Sequence, residues 1–190
     1  MAPDTTQPGS EGLTDYELMA RAGQGNHDAL GTLVQRHQAK VVGLAFRFLG
    51  RWDAAEDVAQ DVFVRVWRAA ATFRPEAQFT TWLYRLATNL CWDRRRRAAR
   101  DLRLRATAPT PGSADPPLAT LASRDRIRRV QEAVAELPDR QRLAVILHRY
   151  QGLSHKEIAD ATGWSESAVE SCLVRAYENL RKSLSDMRLE

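Results

Sequence analysis

Cysteine is almost missing from this 190-residue chain, which has only Cys91 and Cys172. They fall far apart and in different predicted domains, so a disulfide framework and a CxxC metal site are both excluded, and a reducing compartment fits. Long apolar runs are missing too. No segment approaches the roughly 18 to 20 apolar residues that cross a bilayer, and residues 1–12, rich in Pro, Gly, Ser and acid, do not resemble a signal peptide. A cytoplasmic protein is expected. Alternating, β-branched runs bounded by turns are absent, so no sheet is predicted. His27, His37, His148 and His155 keep no close ligand spacing with the cysteines, and His37 falls on an apolar face, so neither metal nor cofactor is expected. No motif supplies paired carboxylates, a nucleophile with its base, or a phosphate loop, which argues against an enzyme.

What is present is helical periodicity. The fold class expected is all-α: two small helical domains joined by a Pro-rich linker, the second containing a helix-turn-helix. A short helix is predicted over Asp15–Ala22, then a turn at Gly23–Asn26. A longer helix follows, with Leu30, Leu33, Val34, His37, Val41, Leu44, Ala45 and Phe48 on one face, and ends at Gly50. The next is expected to open on Asp53, capped in box fashion with Glu56, and to reach about Ala70. After a loop around Phe73–Glu76, another helix starts near Thr80 and runs into the arginines. Residues 106–118 hold Pro109, Pro111, Pro116 and Pro117, a composition that resists helix. The expected boundaries are a disordered tail at 1–13, a first domain at 14–100, a linker at 101–122 and a second domain at 123–190.

In the second domain, Ile127, Val130, Val134 and Leu137 mark an amphipathic helix. Pro138 begins the next, which Leu143, Ile146, Leu147 and Tyr150 carry to Gly152. Ser154 and Glu157 then form a capping box for a helix over His155–Thr162, Gly163 makes the turn, and Ser165 caps the last helix. Ile158, Val169 and Cys172 are expected to fill the small core between the two helices. Along the last helix, Val169, Leu173, Ala176 and Leu180 share one side. Ser167, Ala168, Ser171, Arg175 and Lys182 share the other and, with Ser165 at the start, form the candidate DNA face. Glu166 and Glu170 sit where phosphates usually approach; they complement the helix dipole or accept from a cytosine amino group.

Charge is unevenly placed, although 28 Lys and Arg against 24 Asp and Glu leave a net charge of only +4. Asp53–Asp61 is acidic, and Arg94–Arg105 contains seven arginines and one acid. In the first of these helices Val58, Ala59, Val62, Phe63 and Val66 form the buried arc, which leaves Asp57, Gln60 and Asp61 projecting together. In the arginine-bearing helix Leu83, Leu86, Ala87 and Leu90 make the apolar stripe. Thr81, Tyr84, Arg85, Thr88, Asn89, Trp92, Arg95 and Arg96 are expected to share the outer surface, where aromatics interleaved with arginine suit unpaired bases and their phosphates. An exposed Trp92 with no partner would gain the protein nothing.

Three segments together carry a family resemblance: Asp53-Ala-Ala-Glu-Asp-Val-Ala-Gln-Asp-Val-Phe-Val-Arg-Val-Trp67; Phe79-Thr-Thr-Trp-Leu-Tyr-Arg-Leu-Ala-Thr-Asn89 with its trailing arginines; and Leu137-Pro-Asp-Arg-Gln with Gly152-Leu-Ser-His-Lys-Glu-Ile-Ala159. In this order they resemble the extracytoplasmic-function sigma factors of bacterial RNA polymerase. The resemblance implies that Asp57, Gln60 and Asp61 dock on the clamp helices of the polymerase largest subunit. By the same resemblance the loop and helix from Phe73 and Arg74 to Arg97 capture and unstack the minus-ten element, and the last helix reads the minus-thirty-five element. The linker would thread toward the polymerase active-site and RNA-exit channels, and an anti-sigma factor would control the protein. Glu170 and Cys172 depart from the family pattern, so promoter preference does not carry over. A stand-alone helix-turn-helix regulator with an N-terminal sensing domain is the alternative, but it would require neither the acidic nor the aromatic-arginine face.

Overall fold

The computed structural model describes residues 12–74, 78–105 and 121–185. Most of the expected tail, loop residues 75–77 and the proline-rich stretch 106–120 therefore lie outside the described residues. All regular structure among the described residues is helical. In chain order the elements are α1 (Asp15–Gly23), α2 (His27–Leu49), α3 (Trp52–Ala69), a 3₁₀ turn (Ala70–Thr72), α4 (Phe79–Arg105), α5 (Leu121–Glu136), α6 (Asp139–Val145) continued by a π-helical turn (Ile146–Tyr150), α7 (His155–Thr162) and α8 (Glu166–Ser183).

In the first domain α2 is the central helix and packs against α1, α3 and α4. Its stripe of Leu33, Val41, Leu44, Ala45 and Phe48 is buried in one core with Val58, Val62 and Val66 of α3 and Leu83 and Ala87 of α4. Each Leu, Val or Phe side chain among them contributes about 1.5–3 kcal/mol relative to exposure. His37 is buried in the same stripe, with Nε2 2.8 Å from Asp15 Oδ2 and its ring 5.3 Å from that of Phe79. Burial lowers its pKa below the usual histidine value, outweighing the opposing pull of Asp15. In the second domain α6 and α7 pack on α8, and Leu143, Ile146, Leu147, Ile158, Val169 and Leu173 extend the core without a break.

The two domains also pack on each other. Helix α7 lies against α4, and α5, α6 and the π-helical turn lie against α2. At this joint the buried Arg142 donates through Nη1 to Phe48 O (3.2 Å), and through Nη2 to Leu137 O (3.0 Å) and Ala135 O. These carbonyls belong to the last turns of α2 and α5 and to the residue after α5, where intrahelical donors run out and the helix dipole favours a cation.

Several local expectations change. Helix α3 starts one turn-defining residue before Asp53, with Arg51 at the N-cap and no side-chain cap. Asp53 is instead held by the Arg51 guanidinium, and Glu56 accepts from Trp52 Nε1 at 2.9 Å, so neither carboxylate is free for a capping box. The arginine-bearing helix continues to Arg105, past the expected domain end at 100. Ile127 and Tyr150 are exposed, and Tyr150 lies under the Arg47 guanidinium at 4.3 Å from the ring centre.

Gly23 is pressed against backbone: a Cβ there would lie 2.6 Å from Ala70 O and 2.9 Å from Ala70 C. Backbone of the 3₁₀ turn cannot swing aside as a side chain would, so Gly23→Ala is expected to cost about 1–3 kcal/mol. Gly31, exposed within α2, has nothing within 4 Å of a Cβ. There Ala is expected to stabilise by up to about 1 kcal/mol through helix propensity. Urea denaturation followed by circular dichroism reads both; equal midpoints for the two variants would contradict the close approach.

Candidate nucleic-acid and protein interfaces

The helix-turn-helix forms as its caps require. Ser154 accepts from Glu157 N while the Glu157 carboxylate accepts from Ser154 N at 2.8 Å, which closes the box at the start of α7 and holds Glu157 below the usual carboxylate range. Gly163 ends α7 in the left-handed region (φ 73°), open to glycine without strain. Ser165 then caps α8, its Oγ accepting from Ala168 N at 3.2 Å and lying 3.1 Å from Ser167 Oγ. Val169, Leu173 and Ala176 are buried, Leu180 and Cys172 half-buried. Ser165, Ser167, Ser171, Arg175 and Lys182 are exposed and Ala168 is half-buried, so the solvent-facing surface has the expected residues. Cys172 fills the interhelical core only in part.

On α3 the residues Asp57, Gln60 and Asp61 are exposed together opposite Val58, Val62 and Val66. The face has a partner within the chain: Arg94 of α4 donates to Asp57 Oδ2 at 2.8 Å and to Asp61 Oδ2 at 2.9 Å. The hydrogen bond to Asp57 is the main reason that the Arg94 pKa rises. The signal lay in the arginine run, whose first member faces back across the helix pair. Both carboxylates remain more than half exposed, and pairs of this kind are worth about 0–1 kcal/mol, so they do not sequester the face.

Helix α4 departs further from expectation. Thr81, Tyr84 and Thr88 are buried at 4%, 3% and 1% exposure, not outward. A helical wheel shows an amphipathic face but not the second domain that covers it. Tyr84 Oη donates to Gln151 Oε1 at 2.8 Å, and Thr88 Oγ1 donates to Ala161 O at 3.1 Å. Burial pushes the Tyr84 phenol up to about 12 and the Cys91 thiol likewise up to about 12, so both stay protonated at neutral pH. Arg95 makes a two-pronged pair with Asp139, Nη2 to Oδ1 at 2.7 Å and Nε to Oδ2 at 3.1 Å. Trp92 is half-buried with its ring edge-on to Phe48 at 5.2 Å, so it has the partner that the sequence did not reveal. Asn89 and Arg96 remain exposed, Arg96 reaching Asp93.

The first turns of α4 are where base-stacking side chains are available. Phe73 packs 4.8 Å from Trp82 and 6.1 Å from Phe79, and the three rings form one cluster. Beside it runs a groove of about 600 Å³ lined by Phe73, Arg74, Thr81, Trp82, Arg85 and, from α7, Asp160. Arg74 and Arg85 are exposed at its rim. Trp82 was not singled out from the sequence, although its spacing of three from Phe79 on one helix places the two rings together.

Residues 33–101 match Sigma-70 region 2, and residues 127–180 match Sigma-70, region 4. The RNA polymerase sigma-H factor of Pseudomonas aeruginosa is 32% identical over 93% of this chain and 96% of its own. For the ECF RNA polymerase sigma factor SigW of Bacillus subtilis the identity is 33%, over 86% of this chain and 93% of its own. CnrH, solved in complex with the cytosolic domain of CnrY, is similar with a TM-score of 0.67 and 30% identity, covering 90% of this chain and 97% of that one. With these similarities spanning both helical domains, the chain belongs to the extracytoplasmic-function group of RNA polymerase sigma factors.

Proposed function

We propose that this chain directs core RNA polymerase to specific promoters, with residues 14–100 docking on the polymerase and opening the minus-ten element and residues 123–190 reading the minus-thirty-five element. The observation that carries this is the presence on one chain of two separate surfaces: an aromatic and arginine-lined groove at the start of α4, and an exposed Ser167, Ser171 and Arg175 face on a capped recognition helix. A stand-alone regulator would need only the second. Asp57, Gln60 and Asp61 are the docking set for the clamp helices of the polymerase largest subunit, and the stretch between α4 and α5 threads toward the polymerase active-site and RNA-exit channels. Covalent chemistry belongs to the polymerase. The work of this chain is to offset base unstacking, a few kcal/mol per step, with stacking on rings such as Phe73 and Trp82 and with hydrogen bonds. No described helix is long and apolar enough to cross a membrane, which suits action in the cytoplasm. The complex of CnrH with the cytosolic domain of CnrY supports control of this chain by a protein of anti-sigma type.

Docking is tested by Asp57→Asn with Asp61→Asn, expected to weaken core-polymerase binding markedly and to change stability by less than about 1 kcal/mol. Neutral amides avoid leaving Arg94 against new cations. Arg94→Ala, which only frees the two carboxylates, is expected to keep the binding. Unchanged affinity in the double variant would refute the docking assignment.

Promoter opening is best tested at Asn89, since Trp92 also packs on Phe48. Asn89→Ala is expected to reduce permanganate reactivity of promoter thymines in holoenzyme while stability moves by no more than about 0.5 kcal/mol. Trp92→Ala is expected to lose about 1–3 kcal/mol of stability as well. Full reactivity with Asn89→Ala would remove that side chain from the opening surface.

Arg175 lies about two turns into α8, beyond Ser167 and Ser171, where a phosphate contact is expected and base contacts fall to the earlier residues. Arg175→Ala in holoenzyme is expected to weaken binding to all upstream-element variants alike and to flatten the salt dependence by about one unit. A loss confined to one base pair would instead make Arg175 a base reader.

A further inference from the structure

Helix α8 carries a charge that its own chain leaves unanswered. Glu170 is exposed in the second turn, and its neighbours three and four residues away along the helix are Glu166, Ser167, Leu173 and Val174, none of them a base. Among the described residues, no cation of another element pairs with it. Like charges four residues apart repel, so Glu166 and Glu170 together oppose the helix they stand on. Glu166 is compensated, because it lies in the first turn, where the helix dipole favours an acid. That benefit fades within one turn and does not extend to Glu170. Local structure therefore disfavours this carboxylate, yet it stands beside Ser167 and Ser171 on the solvent side of the capped helix, opposite the half of α8 that Val169, Leu173 and Ala176 bury.

A carboxylate can only accept hydrogen bonds, and the major groove offers it few donors. Cytosine presents its N4 amino group and adenine its N6 amino group, whereas guanine presents two acceptors and thymine an acceptor and a methyl group. Adenine also sets the acceptor N7 beside its amino group, where it repels the second carboxylate oxygen; cytosine has only a C–H there. The best match is cytosine and the worst is guanine. Serine hydroxyls donate or accept, so Ser167 and Ser171 discriminate less. We propose that Glu170 is a specificity-determining residue of α8, accepting from the N4 amino group of a cytosine in the minus-thirty-five element and excluding guanine from that position. This rests on the assignment of α8 to the minus-thirty-five element.

The test is a binding selection by holoenzyme carrying the full chain, on duplexes fixed at the minus-ten element and randomised across the upstream element. Wild type is expected to retain cytosine over guanine by about tenfold or more at one base pair. Glu170→Gln is expected to move that base pair toward adenine, since an amide donates to N7 while it accepts from N6, and Glu170→Arg to move it toward guanine. Both changes are exposed and remove the repulsion from Glu166, so the free chains are expected to melt no lower than wild type. Loss of the cytosine preference in both variants, with the other base pairs unchanged, supports the reading whether or not a new base is gained. The same preferences in all three chains, or a wild-type preference for any base but cytosine where the variants differ, would overturn it. If in that case Arg175→Ala still weakens holoenzyme binding, the assignment of α8 survives and the role of Glu170 alone has failed. If Arg175→Ala binds as wild type and no upstream base is selected, the assignment of α8 has failed with it.

Discussion

A buried cation lies at the joint of this molecule, beside the Tyr84–Gln151, Thr88–Ala161 and Arg95–Asp139 contacts. Removing a guanidinium from water is costly, and Arg142 has no carboxylate hydrogen-bonded to it. What it has are carbonyl oxygens: Phe48 at the end of α2, Ala135 near the end of α5, and Leu137 just beyond. These are groups that a helix terminus leaves without donors, so cation and carbonyls each relieve a penalty in the other. Burial still lowers the Arg142 pKa, but from a value so high that the group remains charged. Because Phe48 belongs to the first domain and the other two carbonyls to the second, this one side chain sets how α5 and α6 sit on α2.

The position of α7 follows from that joint. With α6 and its π-helical continuation held against α2, Gln151 reaches α4 and α2 together, and α7 is delivered onto the polar side of α4. Helix α4 is thus covered on both sides over its middle turns, by the α2 and α3 core on one and by α7 on the other. Its first turns, with Trp82 and Arg85, keep solvent access, as do Asn89 and the residues from Arg96 to Asp101. The aromatic and arginine-lined groove at the start of α4 is therefore bounded in part by the second domain, through Asp160.

Electrostatics act more gently. The acidic face of α3 is bridged by Arg94, yet Asp57 and Asp61 stay largely solvated, so the pairing orients the carboxylates without removing them from use. On α8 the balance differs: Arg175 and Lys182 form no ion pair among the described residues, and Glu166 lies in the first turn, where the helix dipole favours an acid.

Local order was legible in the sequence where one short segment holds both partners of an interaction, except at Asp53 and Glu56, whose carboxylates are taken by Arg51 and Trp52. The Ser154 and Glu157 box, the Ser165 cap, the turn at Gly163, the end of α2 at Gly50, and the apolar arcs of α2, α3 and α8 all follow from spacing within a few residues. The acidic set on α3 and the serine and arginine set on α8 were legible as exposed faces for the same reason: a helix turns every 3.6 residues, and the buried stripe defines its opposite. The tertiary structure alone decided what meets those faces. Thr81, Tyr84 and Thr88 read as outward because a wheel counts polarity, not neighbours, and their partners Gln151 and Ala161 lie in the other domain. Trp92 found Phe48, Arg94 found α3 and Arg142 found two helix ends across distances in sequence that no periodicity encodes. Side chains with both an apolar body and a polar tip suit water and an interface equally well, and only the packing of the second domain against the first selects between them.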